Sequence, residues 1–269
     1  MHRVSTITVK GFDLAKNLHL CIFHTYVHKA SKVWRTSFPN GLFLPSLFTW
    51  HKMLTKLLHE LSAQNVTLVA VSKTHPPERI LEIYQQGQRI FGENRAQEML
   101  EKQAALPADI EWHLIGHLQT NKVKLIAPFV RMIHSLDSLR LLEEIDKQAA
   151  KAERTIDCLL QFHIAQEETK FGLDEAEARA ILSSDTFRQM KNIRICGVMG
   201  MATFTDDEAQ VRREFRHLRA IFEKLKQEFF PENPHFREIS MGMSSDWRIA
   251  VEEGSTMVRV GSLIFGERG

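Results

Sequence analysis

From residue 66 onward the chain alternates short apolar runs with amphipathic stretches, and it does so eight times. The runs are VTLVAVS (66–72), RIFGEN (89–94), EWHLIG (111–116), VRMIHS (130–135), IDCLLQFHI (156–164), IRICGVMGM (193–201), FREISM (236–241) and TMVRVG (256–261). Between them, at 77–87, 95–105, 119–127, 138–152, 174–184, 207–230 and 245–253, the apolar residues recur at helical spacing. Strands separated by helices pair in parallel, since each crossover needs a dozen or so residues. Eight such units within residues 66–261 predict an α/β fold of one domain, a (β/α)8 TIM barrel near its lower size limit. A doubly wound open sheet is the alternative, but no GxGxxG follows any of these strands. Only eight residues follow Gly261, too few for a full eighth outer helix. A helix over 53–63, with Met53, Leu54, Leu57, Leu58 and Leu61 on its apolar stripe, is expected to cover that face instead.

Residues 1–52 differ in kind. They hold eight of the 23 aromatics, five of the 13 histidines, and seven Lys/Arg against a single acid, Asp13. The whole chain carries +2 and this segment +6, which leaves the body at −4, with no basic stripe for nucleic acid. The segment has no clear helical or strand period. It reads as an N-terminal extension, poorly ordered or translated from a start codon called too early, with the barrel over 53–269. His24 and His28 lack a third ligand, so no metal site is expected there. Cys21, Cys158 and Cys196 show no CxxC spacing, and Cys158 and Cys196, each in an apolar run, read as buried thiols of a reducing, cytoplasmic compartment. No uninterrupted apolar stretch approaches the ~20 residues that cross a bilayer, so no membrane partner is expected.

Barrels of this kind build their sites at the C-terminal ends of the strands. There, strand one ends on Lys73, strand two on Glu93-Asn94, and strand three runs into HLIGHLQTNK. Strand four ends on His134-Ser135, strand five on His163, strand seven in SMGMSSD (240–246), and strand eight carries Arg259, Gly261 and Ser262. Each residue singly has a bland reading, and together they describe a pocket. His113, His117 and His134 have no defined spacing partner and read as pocket or core histidines. Ser244, Ser245 and Asp246 are expected to open the 245–253 helix, where unpaired N–H groups favour an anion, and a serine N-cap is expected there as well. Gly261 lets backbone approach a ligand, and Ser262 adds a hydroxyl. A lysine facing a phosphate site between strands seven and eight points to pyridoxal 5′-phosphate (PLP), which offers an aldehyde to an amine and a phosphate to a cradle.

Residues 53–269 resemble the pyridoxal phosphate homeostasis proteins, the proline synthetase co-transcribed group. The strings that carry the resemblance are VAVSKT, FGEN, WHLIGHLQTNK, ETKFG, GVMGM, SMGMSSD and GSTMVRVGSLIFG, in order along the whole body. The resemblance implies a barrel similar to the N-terminal domain of alanine racemase. It implies that Lys73 forms an imine with PLP, that Ser244, Gly261 and Ser262 hold the phosphate, and that Arg259 faces the pyridine nitrogen. It places Asn94 near the ring and Met199 and Ser240 in the pocket wall. Ser262 departs from the threonine common in the family but keeps the hydroxyl, and His163 stands where asparagine is expected.

A guanidinium only donates hydrogen bonds, so Arg259 opposite the ring nitrogen would leave that nitrogen unprotonated and weaken the cofactor as an electron sink. Racemization would also need a base on the opposite face, a tyrosine in alanine racemase. This chain has only Tyr26, in the extension, and Tyr84, in an outer helix. The expectation is therefore a monomeric protein with no catalytic residues that buffers PLP or delivers it to PLP-dependent apoenzymes. A low-activity PLP-dependent racemase or lyase, and a cofactor-free lysine aldolase, are the alternatives. Lys170 and Gly172 of ETKFG are read as loop residues near the mouth.

Overall fold

The computed structural model describes residues 45–166 and 171–266. Eight strands, β1 (Thr67–Val71), β2 (Ile90–Glu93), β3 (Glu111–Leu114), β4 (Met132–Leu136), β5 (Ile156–Phe162), β6 (Ile193–Gly200), β7 (Glu238–Ser240) and β8 (Met257–Val260), close into a barrel in sequence order. Every neighbouring pair is parallel, and β8 zips onto β1 with Val69 opposite Arg259. The predicted strand count and order are both present.

Alternation sorts each strand's residues to two sides. On β1, Leu68 and Ala70 join the large core between the strands and the outer helices. Val69 packs inside the barrel with Met132, Leu159, Cys196, Met199 and Met257. The same parity carries Val71 and then Lys73 inward at the C-terminal end. Outer helices include Pro77–Gln85, Ala96–Ala105, Leu139–Lys151, Glu175–Ser183 and the 22-residue Glu208–Phe229. Their starts follow from local chemistry: Pro77 stands in the first turn of its helix, Ser138 caps Leu139–Lys151, and Asp174 with Glu177 forms a capping box.

The helix preceding β1 runs Pro45–Ser62, so it begins eight residues before Met53. Leu54, Leu57 and Leu61 are buried in the core as the stripe predicts, whereas Met53 is exposed. Its Glu60 carboxylate accepts from Arg248 Nη2 at 3.2 Å, which ties it to the short helix Trp247–Glu252 between β7 and β8. The readings of residues 1–44, including Cys21, His24, Tyr26 and His28, and of Lys170 lie outside the described residues. Cys158 and Cys196 are buried free thiols, and burial pushes both thiol pKa values up, that of Cys196 to about 12. Among the described residues, no helix is long and apolar enough to cross a membrane.

Candidate functional site

A cavity of about 830 Å3 opens at the C-terminal ends of the strands. Lys73, Asn94, Ser244, Arg259, Gly261 and Ser262, predicted from four separate strings, all line it. Val71, Ile115, Met201, Leu263 and the rings of Phe171 and Phe204 supply apolar wall, and Gly116 admits the Asn94 backbone. A Cβ at Gly116 would stand 2.5 Å from the Asn94 carbonyl oxygen.

Met199 and Ser240, expected in the wall, lie beneath it. Met199 is fully buried in the barrel interior, and Met201, two residues on and of the same parity, reaches the cavity. Ser240 is also buried, and its hydroxyl accepts from Arg259 Nη1 at 2.7 Å. Arg259 Nη2 donates to the Gly200 carbonyl at 2.9 Å, so the guanidinium is held on two sides. Burial pushes Arg259 down to about 10, which still leaves it cationic at neutral pH.

The buried histidines continue this chain of bonds. His134 Nδ1 lies 3.0 Å from Ser240 Oγ, and His134 Nε2 lies 3.0 Å from His113 Nδ1. Arg259 can only donate, and the arrangement that also gives the buried Ser240 proton an acceptor is the following. Ser240 accepts from Arg259 and donates to His134 Nδ1, and His134 donates from Nε2 to His113 Nδ1. Both rings are neutral in this arrangement. Burial, with the Arg131 charge, lowers His113 to about 3, and burial, His113 and Arg259 hold His134 far below the usual imidazole range. Among the described residues no group of three or more His, Cys, Asp or Glu is placed to hold a metal ion.

A second buried cluster stands outside the wall, between the strands and the helix Ala96–Ala105. Lys102 Nζ donates to Glu93 Oε1 and Glu98 Oε1, both at 2.7 Å, and to the Ser72 carbonyl at 2.8 Å. Ser72 Oγ donates to Glu93 Oε1 at 2.6 Å, while Glu93 Oε2 is buried without a hydrogen-bond partner. Burial raises the Glu93 carboxyl. Burial also pushes Glu98 up, but the Lys102 hydrogen bond, the Thr74 amide and the Lys102 charge together hold it below its ordinary value. Sequence reading took Glu93 as a strand end and missed Lys102. The available signal was its spacing, three residues after buried Met99 and six after buried Ala96.

The loop between β7 and β8 departs from expectation. The helix starts at Trp247, two residues late, and no serine caps it. Asp246 Oδ1 accepts from the Met243 amide at 2.5 Å, closing a tight turn after Gly242, whose φ of 95° only glycine adopts readily. Ser244 is thereby free of capping and its hydroxyl accepts from the Gly261 amide at 3.2 Å. This loop therefore brings the Ser244 hydroxyl to the cavity, in place of the predicted helix N-terminus.

The remaining sequence candidates are peripheral. His163 is exposed and outside the lining, and Gln161, two residues earlier, takes its place. His117 lines the rim, stacked on Phe171 at 4.4 Å and bonded to Asp137 at 3.0 Å. Tyr84 Oη donates to Asp109 Oδ1 at 2.7 Å near the N-terminal ends of β2 and β3, away from the cavity. Among the described lining residues there is no carboxylate and no tyrosine.

The alanine racemase N-terminal domain profile matches residues 54–269. The pyridoxal phosphate homeostasis protein of Aquifex aeolicus is 42% identical over 202 residues, covering 75% of this chain and 86% of that protein. The structure of PipY from Synechococcus elongatus PCC7942 without PLP is 39% identical and superposes with a TM-score of 0.74 over 80% of this chain and 99% of PipY. The same protein with PLP bound gives a TM-score of 0.72 over 81% of this chain and 100% of PipY.

Proposed function

Because the chain belongs to the pyridoxal phosphate homeostasis protein family, with the alanine racemase N-terminal fold, we propose that it holds PLP covalently on Lys73 and buffers or delivers it without robust turnover. The observation that carries this reading is the shared cavity. One amine, one buried guanidinium and the hydroxyls of Ser244 and Ser262 converge there from opposite ends of the chain.

These residues fit the cofactor's three functional parts. The Lys73 Nζ closes a C=N bond to the aldehyde carbon, and the aldehyde oxygen leaves as water. Ser244, Ser262 and the Gly261 backbone hold the phosphate. A Cβ at Gly261 would stand 3.1 Å from the Val71 carbonyl, so glycine there keeps the end of β8 packed closely on β1. Arg259, fixed by Ser240 and Gly200, donates toward the ring nitrogen and keeps a proton off it, and Asn94 stands beside the ring. When bound, PLP supplies an electron sink for carbanions, which the guanidinium weakens.

Two features support holding over turnover. Among the described residues, the lining has no carboxylate or tyrosine to act as a second base. Its histidines are engaged in ring stacks, His75 on Phe265 and His117 on Phe171. The protein is proposed to act as a cytoplasmic monomer whose recipients are PLP-dependent apoenzymes. Borohydride reduction of the protein with PLP, followed by peptide mass spectrometry, should place the adduct on Lys73, and Lys73→Ala should lose the visible absorption band. Incubation with L-alanine should show no optical inversion. An adduct elsewhere, or rapid inversion, overturns the reading.

A further inference from the structure

β1 ends at Val71, and the backbone of residues 72–74 leaves the sheet carrying Lys73. That turn is strained: Thr74, a β-branched residue, has a φ of 69°. Such a conformation persists only where surrounding groups over-determine it. Here they do so on both sides of Lys73. Before it, the Ser72 amide donates to the Gly92 carbonyl at 3.0 Å, its hydroxyl to Glu93, and its carbonyl accepts from Lys102. After it, the Thr74 amide donates to Glu98 Oε1 at 2.5 Å. Lys102 joins the two sides. Its three protons are shared among the Ser72 carbonyl, Glu93 and Glu98, so its donor capacity is filled.

We infer that Lys102 and Glu98 are positioning residues, a clamp outside the barrel wall that fixes the turn and thereby sets where the Lys73 amine stands in the cavity. Neither side chain lines the cavity, so neither touches the ligand. An apolar contact would hold the helix Ala96–Ala105 on the wall equally well, because buried ion pairs add little net stability over well-packed hydrophobic residues. What the apolar contact lacks is an acceptor for the Thr74 amide and a second donor for the Ser72 carbonyl, which already accepts from the His75 amide at 3.1 Å. The clamp supplies these, and it approaches the turn from the side opposite the ligand.

The inference rests on Lys73 being the covalent anchor, and two phosphorylated ligands separate the two ideas. PLP forms the C=N bond; pyridoxine 5′-phosphate has the same ring and phosphate but an alcohol in place of the aldehyde, so it cannot. Glu98→Ala removes the acceptor for Thr74 while leaving Lys102 its bonds to Glu93 and Ser72. This variant should weaken PLP binding and slow C=N formation by about tenfold or more, the order expected for a misplaced reacting group. Affinity for pyridoxine 5′-phosphate should stay unchanged, which also certifies a folded pocket. Glu98→Gln, which keeps an oxygen acceptor, should recover most of the loss. If Glu98→Ala fails to fold, Glu98→Gln carries the same two-ligand comparison at smaller amplitude. Equal losses for both ligands would mark Glu98 as merely structural and overturn the clamp, as would wild-type behaviour with PLP. Absence of any reducible adduct on Lys73 in the wild-type protein would instead defeat the anchor reading itself.

Discussion

Two buried polar clusters support the two cavity residues at the ends of β1 and β8, and they are built on opposite principles. The cluster behind Lys73 is ionic and lies outside the barrel wall. One lysine is divided between two carboxylates and a carbonyl. The cluster beneath Arg259 is neutral apart from the arginine and lies inside the barrel, a file of hydroxyl and imidazole groups running Ser240, His134, His113. The ionic cluster fixes a backbone turn and the neutral one fixes a side chain. Directional hydrogen bonds are common to both, and the difference lies in what acid does to them.

Acid is therefore expected to produce the largest separation. The folded-state pKa values of His113 and His134 are depressed below the unfolded value near 6.5, so the unfolded chain binds protons that the folded relay refuses. Their contribution to stability is complete above that pH and is lost as pH falls beneath it, by about 2 kcal/mol per histidine between pH 7 and pH 5. Glu93 opposes this: its raised pKa means the folded state takes up a proton first, which favours folding as pH falls toward the ordinary carboxylate range. Urea unfolding at the two pH values, compared with a His113→Gln/His134→Gln protein, measures the relay's share. A slope unchanged in the double variant would dissociate the relay from acid sensitivity.

Removing one charge from the ionic cluster is the next largest effect. Glu93→Ala should destabilise the fold by about 3 kcal/mol, at the lower end for a broken buried pair because Lys102 retains Glu98. Chemical denaturation reads it directly, and a loss under 1 kcal/mol would place the pair among the inert ones. Ser240→Ala is milder, at about 2 kcal/mol, since it strips one partner each from Arg259 and His134. It should also loosen Arg259, visible as a shift in the absorption of bound PLP. Lys73→Ala, by contrast, should abolish that band with little change in melting temperature, because Lys73 is half-buried at the mouth.

These contrasts also show what the amino-acid sequence makes legible. Strand order and closure could be read because each β unit repeats a simple apolar signature, and the stripe Leu54, Leu57, Leu61 announces the helix ahead of β1. The six lining residues were legible because they fall at or just past the C-terminal ends of strands, where a closed barrel gathers them into one cavity. Depth was not legible. Met199 and Met201 share a parity, and only the stagger of the closed barrel decides which one reaches the cavity. Ser244 looked like a helix cap because serine commonly is one. The competing partner, the Gly261 amide, lies 17 residues away and belongs to another loop. Lys102 escaped notice because a charged residue on an outer helix ordinarily faces solvent.

The pairing of β8 with β1 has a consequence for timing. The Lys73 amine follows the first strand to leave the ribosome, whereas the Arg259 guanidinium lies on the last and Ser262 just beyond it. During synthesis the chain therefore carries Lys73 for most of its length without Arg259 or Ser262. Selectivity arrives in one event, when the final strand slots between β7 and β1 and the ring is closed. On the proposed function, ligand retention would then report barrel completion: a chain stalled before β8 would hold Lys73 without Arg259 or Ser262.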